Sequence, residues 1–228
     1  LRGETAQYVA DRVSEVAWGI GLEAGEPGCR PNIMIIGTDD GAAMAQGLVA
    51  ARRSIFWPGG SGMNRSRAAL EAFQQTDHAV RWWHISLPID SETNALAVRL
   101  PGGNPPTVAN YAAGRLRTTI RNDLGRVIII VDVAKLAGLN SRQIADYVAM
   151  VALSQVDPDA DTRDYDSILN VFRQPEATPN LSEWDLAYLK ALYAAQLNQG
   201  ASTQQTGEIQ NLMARDQRRA QGAADTPD

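Results

Sequence analysis

The sequence predicts an α+β fold in which helices flank a twisted mixed β-sheet. Residues 127–131 read Val-Ile-Ile-Ile-Val, an apolar β-branched run typical of a central, fully buried strand. Two helices with capping boxes follow this strand, beginning at Asn140 and Ser182. We expect one domain over residues 1–196, with a helical C-terminal part, and a loosely ordered polar tail over residues 197–228.

The first part of the chain shows a helical pattern, a short apolar run and a second helical pattern. Residues 33–36 lie between Pro31 and Gly37 and predict a buried strand, and residues 39–54 predict a helix. Residues 4–18 predict the preceding helix, because apolar side chains recur there with a period close to 3.6 residues. Those side chains are Tyr8, Val9, Val13, Val16 and Ala17.

The next part of the chain predicts a loop, a helix and a second strand. The glycine-rich residues 57–67 favour a loop, and residues 68–75 a helix. In residues 82–87 a wholly apolar set of side chains alternates with a more polar set that includes His84. This alternation indicates a half-buried strand with His84 on its more polar face. Residues 96–100 are predicted to pair with this strand as a hairpin.

The second half of the chain carries the best-specified helices. After a turn at residues 101–106, residues 118–121 are weakly strand-like. The capping box at Asn140 predicts a helix over residues 141–156, and the box at Ser182 predicts another that reaches Tyr193. In the polar tail we expect one short helix, over residues 209–213.

Charge and composition exclude several classes of function. The net charge of -5 argues against a broad phosphate-binding surface, so we expect no nucleic-acid partner. No apolar stretch approaches the roughly 18 residues that cross a bilayer, so we expect no transmembrane segment. The single Cys29 rules out an internal disulfide, and His78 and His84 leave little material for a multi-histidine metal site. We expect no cofactor.

An acidic segment over residues 157–166 is a weak candidate for cation binding, because carboxylate oxygens suit calcium. It departs from the standard calcium loop, with Thr162 at the glycine position and Ile168 where a bidentate glutamate closes the shell. We interpret it as a solvated acidic turn. The alternative is a non-standard cation site formed by Asp157, Asp159 and Asp161.

The order of elements in the second half resembles the C-terminal half of zincin-type metallopeptidases, particularly metzincins. The predicted helix at residues 141–156 is followed by Ser167-Ile168-Leu169, and then by a helix that opens with Leu181-Ser182-Glu183-Trp184-Asp185. In that family the active-site helix is followed by a Ser-Ile-Met turn and by a helix beginning Leu-Ser-x-x-Asp. The ending is also similar to that of a group of uncharacterised proteobacterial envelope proteins. The resemblance implies a zincin-like fold for residues 1–196.

The resemblance also implies that the zinc centre of the family is absent. The family uses two histidines four residues apart on one helix, with an adjacent glutamate that activates the zinc-bound water. Of the side chains at the corresponding positions, only Asp146 offers a hard ligand. These degenerate positions are Asp146 and Met150 for the first two ligands, Tyr147 for the base, Val156 for the third ligand and Leu169 for the methionine of the turn.

We therefore expect a non-catalytic, zincin-like binding or structural protein of a bacterial envelope or extracellular assembly, located in the periplasm or outside the cell. Its partner would be another protein or a second copy of the chain. One alternative is a peptidase-like hydrolase with a non-standard active site around Asp146, Tyr147, His84 and nearby carboxylates. A periplasmic ligand-binding domain is the other. A hydrolase needs titratable groups within mutual reach in a pocket, whereas an assembly protein needs an exposed patch.

Overall fold

A three-stranded mixed sheet organises the chain in the computed structural model, which describes residues 3–25, 28–29, 31–56, 66–90, 120–195 and 202–224. The strands are β1 (Ile33–Thr38), β2 (Val80–Asp90) and β3 (Ile120–Asp132), in the order β1-β3-β2. Strand β3 runs parallel to β1 and antiparallel to β2. Residues 127–131 are each at most 1% exposed, which confirms the predicted central strand.

Helices cover both faces of this sheet in the described part of the chain. Two 3-10 helices, Val133–Lys135 and Ile168–Asn170, accompany them. The mixed helix-and-strand class is confirmed, as are the helices predicted over residues 4–18 and 68–75 and the helix that begins after Ser182. The α-helices are α1 (Gly3–Gly19), α2 (Gly41–Ala51), α3 (Arg53–Phe56), α4 (Arg67–Gln75), α5 (Ser141–Leu153), α6 (Glu183–Ala194) and α7 (Ser202–Ala224).

Two apolar cores lie on opposite sides of the sheet. Trp82 and Ile129 pack with α1 and α5, whereas Trp83 and Ile128 pack with α2, α3 and α4. Successive side chains of a strand point to opposite faces, so adjacent tryptophans serve different cores. Because both faces are covered, β3 is apolar on both sides, as its sequence predicts.

The prediction of a polar face at His84 is wrong. His84 lies on the Trp82 side of β2, which α5 covers, and it is only 8% exposed. One ring nitrogen lies 2.8 Å from the Val151 carbonyl oxygen of α5. Burial is tolerated because this contact satisfies the imidazole.

The prediction of a buried first strand is also wrong, since β1 is an edge of the described sheet. Met34 is 42% exposed, and β3 is the described partner of β1. Of the weakly strand-like residues 118–121, residues 120 and 121 belong to β3, and residues 118 and 119 lie outside the described residues. Residues 57–65 of the loop predicted over residues 57–67, the hairpin partner at 96–100 and the turn at 101–106 lie outside the described residues.

Helix α5 begins as predicted and ends earlier. Asn140 Oδ1 accepts a hydrogen bond from Gln143 N, and Gln143 Oε1 accepts one from Asn140 N, both at 3.0 Å, which confirms the capping box. The helix ends at Leu153 because Ser154 adopts an extended conformation, with φ -119° and ψ 160°. Val156 therefore lies beyond the helix on which it was expected.

Side chains donate to three of the last four carbonyl groups of α5, which lack their usual partners within the helix. The donors come from β2, from α6 and from the residue that ends the helix. His84 donates to the Val151 carbonyl oxygen and Tyr193 to that of Leu153, both at 2.8 Å. The Ser154 hydroxyl donates to the Met150 carbonyl oxygen at 2.6 Å. The Met150 carbonyl also accepts from Ser154 N at 3.0 Å.

Two further helices differ in extent from the prediction. The helix expected over residues 39–54 is interrupted at Arg52, whose φ and ψ of -136° and 41° are not helical. The short helix expected over residues 209–213 is part of the 23-residue α7, which contacts α6. Its abundant alanine, glutamine and arginine residues are good helix formers. The division of the chain at residue 196 stays a prediction. None of the described helices combines the length and the hydrophobicity that a membrane span requires.

Candidate functional site

A cavity of about 210 Å³ lies beside α5, and we name it the Tyr147 cavity. Three of the five degenerate positions line it: Tyr147, Val156 and Leu169. Trp82 and Phe172 complete its aromatic wall. The structure thus brings together residues from β2, α5 and the two segments that follow α5.

Ring contacts and one hydrogen bond fix the aromatic wall. The Tyr147 ring meets Phe172 edge-on at 4.9 Å and Trp82 edge-on at 6.3 Å between ring centroids. Trp82 Nε1 donates to the Val156 carbonyl oxygen at 3.0 Å. These contacts hold the wall in one shape before any ligand arrives.

Tyr147 contributes apolar surface to this cavity and is not a base at neutral pH. Burial raises the pKa of its phenol above the ordinary value, and the nearby positive charge of Arg173 only partly opposes this shift. The phenol therefore stays protonated, and the chemistry left to it is apolar contact and hydrogen bonding.

The rim of the Tyr147 cavity carries polar residues from distant parts of the chain. His78 precedes β2, Asp157 follows α5 and Arg173 follows the second 3-10 helix, and each is exposed. Sequence reasoning missed His78 and Arg173 as site residues. No spacing in the sequence marks them, because only the packing of β2 against α5 brings their segments together.

Asp146 lies outside the lining of this cavity and has a structural role. It is fully buried, and Oδ1 accepts from Arg12 Nε at 2.5 Å. Oδ2 accepts from Arg142 Nε at 2.9 Å and from Leu181 N at 3.0 Å. The carboxylate therefore links α1, α5 and the residues before α6, and both of its oxygens are engaged.

Met150 and His84 also lie outside the lining of the Tyr147 cavity. Met150 is fully buried in the core that α1 and α5 share. A carbonyl oxygen only accepts, so the His84 nitrogen next to Val151 is the donor of that hydrogen bond. Of the three residues proposed for a non-standard hydrolase, only Tyr147 lines this cavity.

The acidic segment forms a turn. Asp157 Oδ1 accepts from Asp159 N at 3.0 Å, and Asp161 forms an ion pair with Arg163 at 2.5 Å. Within the described ranges, no group of three or more His, Cys, Asp or Glu side chains is placed to hold a metal ion. The three aspartates considered as a cation site are therefore not brought together as a ligand shell.

The family-like motifs after α5 position Leu169 in the cavity wall. Asp185 is fully buried and accepts from Ser167 Oγ at 2.6 Å and from Ile168 N at 2.8 Å. The same carboxylate accepts from Ser182 N at 3.1 Å, as the second capping box requires. Asp185 thereby fixes the turn that presents Leu169.

A second cavity of about 130 Å³ adjoins the first, and we name it the Trp83 cavity. It reaches from β2 to α4, where Phe73 and Trp83 supply aromatic surface, with 5.8 Å between the ring centroids. The residues that line both cavities are His78, Trp82, Asp157 and Pro158.

Comparisons with protein-family models, with curated proteins and with solved structures gave no match to this chain. The zincin resemblance therefore rests on the sequence motifs alone and stays a prediction.

Proposed function

We propose that this protein is a non-catalytic binding protein on a zincin-like scaffold, and that the Tyr147 cavity holds one apolar side chain of a partner protein. One observation carries the proposal: three degenerate positions line a single preformed, aromatic-walled cavity. The positions of the base, of the third ligand and of the turn methionine line this cavity, whereas the first two ligand positions, Asp146 and Met150, lie outside its lining.

The size of the cavity favours a side chain over a free small molecule. Pockets for drug-sized ligands usually span about 300–1,000 Å³, and the Tyr147 cavity is smaller, at about 210 Å³. A small apolar pocket with polar residues at its rim is instead typical of the place where one anchor residue of a partner is buried. This comparison argues against the periplasmic ligand-binding alternative.

The chemistry of the lining argues against the hydrolase alternative. A hydrolase needs a base and a nucleophile within hydrogen-bond reach of each other. Tyr147 is held protonated, and Asp146 and His84 lie outside the cavity lining. We propose, from the resemblance, that the protein works in an envelope or extracellular assembly.

The test is a titration of the ¹⁵N-labelled protein with N-acetyl-phenylalanine amide, followed by NMR at the Trp82 indole N–H. At about 0.3 kcal/mol per non-hydrogen atom, such a probe binds with a dissociation constant on the order of 1 mM. We expect a saturable shift of this signal, because Trp82 forms part of the cavity wall.

A matched pair of variants makes the test specific. Ala160 lines the cavity and is exposed, so Ala160→Phe is expected to block the cavity and abolish the shift. Ala50→Phe, at an exposed position on α2, is expected to leave it unchanged. A parent protein without a saturable shift, or an Ala160→Phe variant with an undiminished one, would contradict the proposal.

A further inference from the structure

The two cavities adjoin each other, because they share four lining residues, and we call the pair the groove. Trp82 belongs to both, with its ring against Tyr147 on one side and Trp83 as its neighbour in the chain. Asp157 lines both cavities, so a residue that neighbours an anchor held in the Tyr147 cavity approaches this carboxylate.

The charge at the mouth of the Trp83 cavity is negative. Asp157 and Asp159 line this mouth, and both are exposed. Asp161 is already engaged with Arg163. Asp157 and Asp159 are therefore the exposed charges in the lining of the Trp83 cavity, whereas Arg173 lies at the rim of the Tyr147 cavity.

Arg81 also lines the Trp83 cavity, but its charge is directed into the protein. It is 2% exposed, and Nη1 lies 3.5 Å from the Phe73 carbonyl oxygen and 3.4 Å from that of Gln74. The other side of the guanidinium lies against Gly41, where an added Cβ would be 3.0 Å from Nη2.

Acidic neighbours balance this buried guanidinium. Asp132, Asp40 and Asp77 each interact favourably with its charge. Asp157 and Asp159 are not among the carboxylates that act on Arg81.

We propose that the groove binds an extended segment of a partner protein in which a basic residue directly follows the apolar anchor. The anchor occupies the Tyr147 cavity, and the arginine or lysine lies over Asp157 and Asp159. This inference rests on the proposed function and adds the charge of the partner to it.

Three blocked dipeptides test the charge preference: N-acetyl-Phe-Arg amide, N-acetyl-Phe-Gln amide and N-acetyl-Phe-Glu amide. Their affinities are measured by NMR at the Trp82 indole N–H in low-salt buffer at pH 7. We expect Phe-Arg to bind about fivefold more tightly than Phe-Glu, with Phe-Gln between them, because two exposed carboxylates attract one charge and repel the other. The difference should shrink in about 0.5 M salt.

Paired variants identify the carboxylates responsible. Asp157→Asn combined with Asp159→Asn is expected to remove the difference between Phe-Arg and Phe-Glu. The asparagine at 157 keeps the acceptor for the Asp159 amide, so the turn is retained. Asp164→Asn combined with Asp166→Asn makes the same charge change at exposed positions outside both linings and should preserve the difference.

The outcomes separate this inference from the proposed function. Equal binding of Phe-Arg and Phe-Glu with a saturable shift at Trp82 would overturn the charge preference and leave the proposed function standing. Loss of the preference in both variant pairs would overturn the assignment to Asp157 and Asp159. If none of the three dipeptides shifts the Trp82 signal, both proposals fail.

Discussion

Two arginine side chains, one from α1 and one from α5, converge on the carboxylate of Asp146. The Arg12 side chain is 11% exposed and the Arg142 side chain 47% exposed, while that of Asp146 is inaccessible. The residue type at the first ligand position is therefore explained by ion pairing inside the protein. The spacing in the sequence suggests a metal ligand at Asp146. It cannot show that two arginine side chains, from α1 and α5, already occupy both carboxylate oxygens.

The Asp146→Asn substitution should be strongly destabilising. It leaves the nearly buried Arg12 with only the exposed Glu15, at 2.8 Å, as a counter-charge, and removing the buried partner of such a pair costs about 3 kcal/mol or more. Arg142→Gln is the control, and it should cost less than about 1 kcal/mol, because half-exposed ion pairs contribute little. Urea unfolding measures both free energies, and similar losses for the two variants would contradict this account of Asp146.

Asp185 predicts a dependence of stability on pH. Burial raises the pKa of its carboxyl above the ordinary 3.8, although hydrogen bonds from Ser167, Ile168 and Ser182 oppose the shift. A raised pKa in the folded state means that the folded protein binds the proton more tightly than the unfolded chain. The stability that Asp185 contributes is therefore complete below pH 3.8 and is lost as pH rises through the folded-state pKa.

The measurement compares the parent with Asp185→Asn, whose amide keeps one acceptor oxygen and does not titrate. The free energy of unfolding of the variant minus that of the parent should increase as pH rises from about 4 to 7, because the parent loses the contribution of Asp185 over this range. A relative stability that stays constant or falls over this range would show that the pKa shift has the opposite sign or is absent.

At the scale of elements, the helix starts follow from local sequence and the helix ends do not. The capping boxes at Asn140 and Ser182 need only residues three apart in the chain, so both were predictable. The end of α5 depends on donors from β2 and α6, which no local pattern reveals. The same limit applies to His84, whose environment is set by α5.

Removing one of these donors should weaken the C-terminal end of α5. Tyr193→Phe deletes the hydroxyl that donates to the Leu153 carbonyl at 2.8 Å, and we expect a loss of about 1 kcal/mol in the free energy of unfolding. Tyr188→Phe on the same helix, where the ring stacks on Trp184 at 5.6 Å, should change stability by less than about 0.5 kcal/mol. Faster amide hydrogen exchange near Leu153 in the first variant alone would localise the effect, and indistinguishable variants would argue against it.

At the scale of the whole molecule, the candidate site depends on packing between distant segments. Tyr147, Val156 and Leu169 could be selected from the sequence because they occupy motif positions. His78, Phe172 and Arg173 could not, because their approach to the cavity depends on how the sheet packs against α5. The sequence therefore indicates one side of the cavity, and the tertiary structure supplies the other.

The proposal of a non-catalytic scaffold predicts that the protein holds no catalytic zinc ion. Catalytic zinc needs three protein ligands from His, Cys, Asp or Glu and an open position. The sequence contains two histidines and one cysteine, His84 is engaged with Val151, and Asp146 is paired with arginines.

The most direct test is elemental analysis of the purified protein after incubation with zinc and dialysis into chelator-free buffer. We predict far less than one zinc ion per chain. One zinc ion retained per chain, together with peptide cleavage, would contradict the non-catalytic scaffold.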